Sequence, residues 1–572
     1  MDSEAIHKRR WAILGVMVIC LLIVVMDNTI LNVALRTIQE DLGASQGQMQ
    51  WAVDSYALVF AGLLIPAGVL GDRLGRRRVL LFGMLAFGIT SALCSFATSS
   101  GTLILFRALM GIGAAAIQPQ TLSIIQNVFE PRERAKAIGI WAGASGAAIA
   151  LGPIAGGLLL KWFWWGSVFL INVPFVIVGA LAIWFLVPDS RDPNPHRLDP
   201  AGALLSVVAL VVLVYGVIEG GNSNDWLRWN TLGAIIFGVA LLALFVWVQH
   251  RSDHPTIDVS LFRNRHFSAG VGAIAGTFFA LMGSTFYLAY FMQAVRDYTA
   301  LSAGVALLAS AIPLMIMAPL SARLSHRIGP RVTAGVGMMF FAVSMLSYAL
   351  ATQTMPQWVI EVQLGAMGVG MGMVMQPATT SIMSAVPREK AGAGSAVNNT
   401  VRQVAAALGV AILGSVLAVA FRSHLGADAT QQVAAKLDQP ASVVQQLPAR
   451  AKVSSVVTAD DTQSIGNALE FLNKVGHGQT GVLAQRASLL HGKVSDEQLA
   501  AASKNAVTVL ADFRDRAKSS FMSGMRVTSL FSGLVCLLAA VVAFCFFPSR
   551  REFLEHAAGP AAAAPPEPVA AH

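Results

Sequence analysis

The sequence predicts an all-α polytopic membrane protein with about fourteen transmembrane helices, and three observations support this. The 572 residues are 55% hydrophobic and only 12% charged. Their mean hydropathy is +0.62. About fourteen apolar stretches are long enough to cross a hydrocarbon core of ~30 Å, which takes roughly 20 helical residues each. These values exclude an ordinary soluble domain.

The spans are placed where apolar residues run on with few charges. Their approximate ranges are 11–35, 50–71, 79–98, 102–127, 135–160, 166–187, 201–219, 230–249, 267–293, 301–322, 332–352, 358–384, 391–421 and 523–547. The first is too long for a cleavable signal peptide and is expected to stay as a span. All four cysteines lie inside spans, which favours apolar packing over a disulfide or metal site.

The basic residues fall in alternate short loops. A net charge of +9 would suggest a nucleic-acid partner in a soluble protein. Here the clusters at 73–78, 132–136 and 323–331 lie on one face, as the positive-inside rule requires. We therefore expect both termini in the cytoplasm, an even number of spans and no nucleic-acid partner.

Three motifs of the first half return in the second. "LGDRLGRRRV" (70–79), "PRERA" (131–135) and "ALGPIAGG" (150–157) match "LSHRIGPRV" (324–332), "PREKA" (387–391) and "ALGVAILG" (407–414). The offsets are 254, 256 and 257 residues. One order and nearly one offset indicate duplicated halves. Such repeats are the architecture of secondary transporters, which bind substrate between the halves.

The duplication predicts the domain organisation. We expect an N-terminal six-helix bundle over 1–187, an inserted helix pair over 188–250 and a C-terminal six-helix bundle over 251–550. Within the latter, 422–522 is expected to form an extracytoplasmic helical loop, since Ser495 and Gln498 have capping-box spacing ahead of a helical pattern. The Ala- and Pro-rich tail, 551–572, is expected to be disordered and cytoplasmic.

Charged residues inside spans are the first candidate site. At ~1.5 Å per residue, Asp27 lies roughly 24 Å into span one, while Asp54 and Arg107 lie about one turn from the outer surface. The three therefore reach a similar depth, and intramembrane charges usually mark a pathway or relay. Competition between Arg107 and a substrate for a carboxylate would make that carboxylate a proton carrier. Two alternatives stay open: a static Asp27–Arg107 pair and a simply solvated Asp54.

The loop "GVLGDRLGRRR" (68–78) is more patterned than a topology signal needs. Asp72 can accept from a helix N-terminus or pair with a base, forming a latch that breaks in one conformer. Glu130 is a candidate partner for Arg76. A solvated basic loop is the alternative. The gating candidates are Gly68, Gly71, Asp72, Arg73, Gly75, Arg76 and Glu130.

Span five is rich in small residues. Gly139 and Gly143 have the four-residue spacing that permits close helix contact, and Pro153 allows a bend. The second half has Val410 where the first has Pro153, so the bend belongs to one half.

Aromatic and methionine side chains crowd spans nine and twelve. Such walls suit varied lipophilic ligands, and aromatic faces attract organic cations, although ordinary lipid-facing packing is the favoured interpretation of any single residue. Arg402 is expected to pair with backbone carbonyls or to line water. The candidate substrate-binding residues are Asp54, Trp51, Tyr56, Phe286, Tyr287, Tyr290, Met371 and Arg402.

The chain resembles the major facilitator superfamily, and within it the 14-span drug:proton antiporters. The motifs are "MDNTILNVAL", "GVLGDRLGRRRVLL", "FRALMGIGAA" and "LGPIAGG", with "WAVDSYALVFAGLLIP" and "WWGSVFLINVP" favouring the QacA/SmvA side. The resemblance covers nearly the whole chain. It implies proton coupling by Asp27 and Arg107, and proton or cation recognition by Asp54.

The same resemblance implies conformational gating by Asp72 and Arg76. It assigns exchange-type transport to an antiporter motif of Gly152, Pro153, Gly156 and Gly157. The chain departs from the pattern at Arg36, where the signature often ends in proline. Asn398 and Asn399 stand where some relatives have acidic residues, which argues against a preference for dications.

The sequence thus predicts a multi-pass protein of a bacterial inner membrane that exports lipophilic, often cationic, drugs or antiseptics in exchange for protons. The partners expected are protons, such small molecules, the lipid bilayer and, as an open option, a periplasmic adaptor protein. No cofactor or enzymatic activity is expected. Export of one specific metabolite or antibiotic is the alternative. A membrane enzyme or sensor is a distant one, because no G-K-[ST] or H-E-x-x-H motif occurs.

Overall fold

The computed structural model describes residues 3–44, 46–191, 199–223, 225–252, 259–296, 298, 300–387, 390–425 and 496–553. The predictions for most of the segment 422–522 and most of the tail therefore lie outside the described residues. Within the described ranges the regular structure is helical, without strands.

Sixteen α-helices follow one another in the described ranges. They are α1 (Ser3–Asp41), α2 (Gln46–Leu74), α3 (Arg76–Ser95), α4 (Ser100–Val128), α5 (Pro131–Trp162), α6 (Ser167–Leu170), α7 (Asn172–Leu186), α8 (Pro200–Ser223), α9 (Trp229–Arg251), α10 (Arg265–Tyr290), α11 (Ala300–Ala306), α12 (Leu308–Ile328), α13 (Pro330–Tyr348), α14 (Gln357–Ser384), α15 (Ala391–Leu425) and α16 (Asp496–Phe546). A 3-10 turn, Val259–Arg263, precedes α10, and a π turn, Phe291–Val295, follows it.

These helices supply fourteen candidate membrane spans among the described residues, which confirms the predicted number. The sixth span consists of α6 and α7, and the tenth joins α11 to α12. Several helices extend beyond the predicted spans because hydropathy marks only the apolar part of a helix. The helix predicted after Ser495 runs unbroken into the last span as α16, since residues 496–523 contain neither Gly nor Pro.

The two halves repeat one packing scheme. α1 packs on α5 as α10 packs on α15, and α2 packs on α4 as α12 packs on α14. The repeated loop ends in each half at a glycine with positive φ, Gly75 at +107° and Gly329 at +92°. A side chain would strain both positions, so the same turn chemistry recurs 254 residues later.

The inserted pair lies against both halves. α8 packs on α9 and also contacts α2 and α15. The Trp226 indole, just beyond α8, donates to Ser415 Oγ on α15 at 2.9 Å. The pair therefore flanks the boundary between the halves.

The halves meet through α5 with α12 and α2 with α15. A Cβ on Gly139 would stand 2.6 Å from the Ala318 carbonyl oxygen, and one on Gly68 would stand 2.5 Å from that of Gly392. The close contact predicted for Gly139 and Gly143 is confirmed, because Met315 of α12 adjoins Gly143. We call the end where α1 begins and α16 ends the basic face, and the other end the opposite face.

Candidate functional site

The predicted pair of Asp27 and Arg107 forms inside the N-terminal half. Arg107 Nη1 of α4 lies 2.5 Å from Asp27 Oδ2 of α1, and both side chains are fully buried. Arg107 Nε also donates to the carbonyl oxygen of Ala52 in α2, at 3.2 Å. The depth estimate from helix rise therefore identified two groups that meet.

A fourth helix joins this network through Asn172, the first residue of α7. Its Nδ2 donates to Asp27 Oδ1 and to Ser91 Oγ, both at 3.1 Å. Asn172 is fully buried and follows the break between α6 and α7. The sequence reasoning missed it, although a lone amide within the apolar motif "FLINVP" was the available signal.

Aromatic rings flank the cation. The Arg107 guanidinium carbon lies 4.3 Å from the centre of the Tyr56 ring and 6.0 Å from that of Phe169. These rings exclude water and add a favourable field at the cation. Tyr56 is thus placed against the ion pair, in the N-terminal half.

Asp54 lies close to this network along α2. It is half-buried and follows Ala52, the carbonyl acceptor of Arg107, by two residues. Trp51 faces another way: its ring is 44% exposed and stacks on Tyr215 of α8, with centroids 6.1 Å apart.

At the basic face, Asp72 makes both contacts considered for it at once. Arg76 Nη2 lies 2.5 Å from Asp72 Oδ1. The amide of Gly392 donates to the same oxygen at 2.9 Å, and that of Ala393 donates to Oδ2 at 3.1 Å. Because those amides open α15, the Asp72 carboxylate meets the positive end of a helix from the other half.

Neighbouring residues shape this contact. Gly71 packs on the Gln120 side chain and Gly75 makes the turn, while Arg73 is half-buried. Glu130 is exposed and precedes α5. Its pairing with Arg76 stays a prediction.

A second bridge across the basic face was not predicted. Gln126 Nε2 of α4 donates to the Met383 carbonyl oxygen of α14 at 2.8 Å, and the Gln126 side chain is buried. Gln126 and Met383 are 257 residues apart, the offset of the repeat.

The glycines of the antiporter motif hold α5 against α1. A Cβ on Gly152 would overlap the Thr29 hydroxyl, and one on Gly156 would stand 3.0 Å from Ile30 Cγ1. Pro153 faces α11, where Gly304 adjoins it, and Gly157 follows on the same helix. Motif residues therefore contact the "MDNTIL" segment that carries Asp27.

Other predicted ligand residues lie in the C-terminal half, away from the ion pair. Tyr287 is fully buried, and Ser529 Oγ of α16 donates to its hydroxyl at 3.2 Å. Phe286 and Tyr290 form an edge-to-face pair with centroids 5.1 Å apart. Met371 is buried in α14. Their role in substrate binding stays a prediction.

Arg402 stands at the boundary of the halves. Its guanidinium carbon lies 4.9 Å from the Trp141 ring centre of α5 and 5.1 Å from that of Phe278 of α10. Nη2 donates weakly to Thr379 Oγ1 at 3.4 Å. These rings and this hydroxyl replace the backbone carbonyls expected from the sequence, because α15 faces aromatic side chains here.

The chain is similar in sequence to one family model and to several named efflux and resistance proteins. The family model "Major Facilitator Superfamily" matches residues 17–410. The multidrug efflux pump LfrA of Mycolicibacterium smegmatis is 36% identical over 448 residues, or 77% of this chain and 88% of LfrA. The methyl viologen resistance protein SmvA of Salmonella typhimurium is 34% identical over 420 residues, or 73% and 84% of the two chains.

A solved structure shares the fold. A bacterial homologue of the human lysosomal transporter Spinster, inward-facing and unoccupied, superposes with a TM-score of 0.51 at 18% identity, covering 96% of this chain and 98% of the other. Its similarity concerns the fold alone. With fourteen spans, duplicated halves and a matching family model, this multi-pass integral membrane protein belongs to the major facilitator superfamily.

Proposed function

We propose that this protein exports lipophilic drugs, cationic compounds among them, from the bacterial cytoplasm across the inner membrane in exchange for protons. The observation that carries the proposal is the fully buried Asp27–Arg107 pair inside the N-terminal half. Relatives named for multidrug efflux and methyl viologen resistance support drugs as the cargo. The basic face is then cytoplasmic, by the charge rule for short loops.

The proton would be carried as follows. Asp27 holds Arg107 while it is charged, and protonation removes that attraction. Arg107 then keeps its bond to the Ala52 carbonyl, so α1 is released from α4 while α4 stays on α2. Each proton moved inward supplies about 2.3 kcal/mol per 100 mV. Asp54, near the opposite face, is placed to attract cations or to pass protons.

Gating would follow from the contacts at the basic face. The Asp72 carboxylate holds the start of α15, and Gln126 holds the end of α14. Opening this face requires both bonds to break, whereas opening the opposite face leaves them intact. An alternating-access cycle of the two halves around a central site would use this difference.

Everted membrane vesicles test the proposal. With a pH gradient stored, added ethidium should dissipate the gradient in vesicles carrying the protein, as read by a pH-sensitive dye. Asp27→Asn cannot bind a proton at this position. It should reduce the response by about tenfold or more, because a loss of ~1.4 kcal/mol in proton binding already corresponds to a factor of ten. Asp225→Asn removes an exposed carboxylate and is the matched control. An unaltered response with Asp27→Asn contradicts the proposal.

A further inference from the structure

Arg402 is a buried charge that proton coupling by the Asp27–Arg107 pair does not use. It lies about 16 Å along α15 from the first residue of that helix, at ~1.5 Å per residue, or about half of a ~30 Å hydrocarbon core. Arg402 is 5% exposed and contacts α5 from one half, with α10 and α14 from the other. It therefore stands where duplicated transporters bind substrate.

Arg402 has no carboxylate partner within the described chain. α4, α10 and α15 contain no acidic residue. The acidic residue of α5 is Glu133, which binds Arg10 at the basic face. That of α14 is Glu361, which accepts from Gln357 at the far end of the helix.

The two carboxylates of α2, which packs on α15, lie at other depths. Asp72 is held at the basic face by the start of α15. Asp54 comes one turn before Leu58, which belongs to the same apolar cluster as Val404. Asp54 is therefore closer to the opposite face than Arg402 is. A cation buried without a counter-ion is costly, so the site calls for a negative charge from outside the chain.

Within the described residues, buried polar atoms without partners occur one turn from Arg402 on α15 and one turn from Trp141 on α5. Arg402 Nε, both amide atoms of Asn398 and Ser145 Oγ are buried without a hydrogen-bond partner in the described structure. Asn398 precedes Arg402 by one turn and shares its face of α15, while Ser145 follows Trp141 by one turn on α5. Because buried polar groups are nearly always paired, this grouping between the halves indicates a ligand.

The repeat relates the residues that the two halves supply to this site. Asn398 and Arg402 stand 257 residues after Trp141 and Ser145, so the same two positions face the boundary in each half. The N-terminal half supplies an aromatic ring at one of them, and the C-terminal half supplies a cation at the other. A ligand that satisfies both has an aromatic body and an anionic group.

We propose that Arg402, with Asn398 and Ser145, binds the carboxylate of lipophilic aromatic acids or zwitterions, whose rings lie against Trp141 and Phe278. A guanidinium fork matches a carboxylate in two parallel hydrogen bonds, and its aromatic contacts leave the edge N–H groups available. The proposal rests on the proposed drug export, and it names a substrate class for the centre of that pathway.

A binding experiment tests the charge preference without any proton gradient. Full-length protein in lipid nanodiscs is titrated with 1-pyrenebutyrate and with its neutral amide, 1-pyrenebutyramide, by calorimetry. The wild-type chain should bind the carboxylate at least about tenfold more tightly. Equal affinity for the two probes overturns the proposal.

Two variants assign the preference to this cluster. Arg402→Gln should bring the two affinities together. Asn398→Asp keeps the shape of the side chain and gives Arg402 an internal counter-ion, so it should also abolish the preference. Asn398→Asp replaces Arg402→Gln as the test variant if gel filtration shows that Arg402→Gln does not fold. A preference for the carboxylate that survives Asn398→Asp overturns the assignment to Arg402.

Failure of the anion site can be distinguished from failure of the proposed function, because different assays test them. Failure of proton-coupled drug export would appear in the vesicle assay with ethidium, where Asp27 is tested. Failure of the anion site would appear only in the comparison of the two pyrene probes. Arg402→Lys keeps the charge but lacks the planar fork, and it should retain part of the preference.

Discussion

At the residue scale, the central feature is a buried ion pair that several helices hold in place. The attraction between Asp27 and Arg107 must offset the desolvation of both charges, and further hydrogen bonds to the pair help to do so. Asn172 takes the second Asp27 oxygen and Ala52 takes a second Arg107 donor. The pair is therefore ordered by an amide and a carbonyl that carry no charge.

Replacing Asn172 tests this support. Asn172→Leu keeps the number and branching of the side-chain heavy atoms but cannot donate to Asp27 or Ser91, and hydrogen bonds to charged groups contribute about 1.5–3 kcal/mol. We expect the free energy of unfolding to fall by about that amount, and gradient-driven efflux of ethidium to fall several-fold. Thermal unfolding in detergent and transport in proteoliposomes measure the two effects.

Thr90→Val is the control for that substitution. The Thr90 hydroxyl bonds only to carbonyls of its own helix, at 2.7 and 3.2 Å from those of Ala86 and Phe87. Its loss should change both quantities little. Equal effects of the two substitutions would argue against a positioning role for Asn172.

At the element scale, small residues decide which helices touch. α5 uses Gly139 and Gly143 to meet α12 of the other half, and Gly152 and Gly156 to meet α1 of its own half. One helix thus packs closely in two directions, because small residues let backbones approach. Motion of α1 at the ion pair can reach the boundary of the halves through this helix.

Gly152→Ala tests the contact between α1 and α5. The added methyl group would overlap the Thr29 hydroxyl and stand 3.0 Å from the Ile30 nitrogen. Overpacking typically costs about 1–3 kcal/mol, so we expect lower thermal stability and slower exchange of ethidium. Gly15→Ala on α1 is the matched control, because its Cβ would have no atom within 4 Å. Equal melting temperatures for the two variants would contradict this account.

At the scale of the whole molecule, the basic face is held by contacts between the halves. Asp72 accepts from the start of α15, and Gln126 donates to the end of α14. The contacts described for this end are hydrogen bonds and close glycine contacts, so a few kcal/mol separate the two arrangements of the halves. Such a balance suits a transporter that must open on either side.

Asp72→Asn should shift this balance toward opening at the basic face. The neutral side chain loses the ion pair with Arg76 and most of its attraction for the α15 amides. A loss of about 1–3 kcal/mol corresponds to a roughly 5–150-fold change in population. Maleimide labelling of Ala396→Cys, which is buried against Gly68, should accelerate accordingly.

Arg78→Gln is the control at the same face. Arg78 is 72% exposed and its nitrogen lies 3.6 Å from Asp189, a contact of small energetic weight in water. Labelling of the cysteine at 396 should not change with this variant. If Asp72→Asn also leaves labelling unchanged, the latch at Asp72 does not hold the face closed.

The sequence by itself determined the fold class, the number of spans and the duplication. Only helices and closed barrels cross lipid, and the apolar runs of this chain have the length of spanning helices. It also found Asp27 and Arg107, since a charge in an apolar run is visible without knowledge of packing. The tertiary structure decided which groups meet: Asn172 on Asp27, the start of α15 on Asp72, and aromatic rings on Arg402. These contacts join helices far apart in the chain, so side-chain packing fixes them and hydropathy does not.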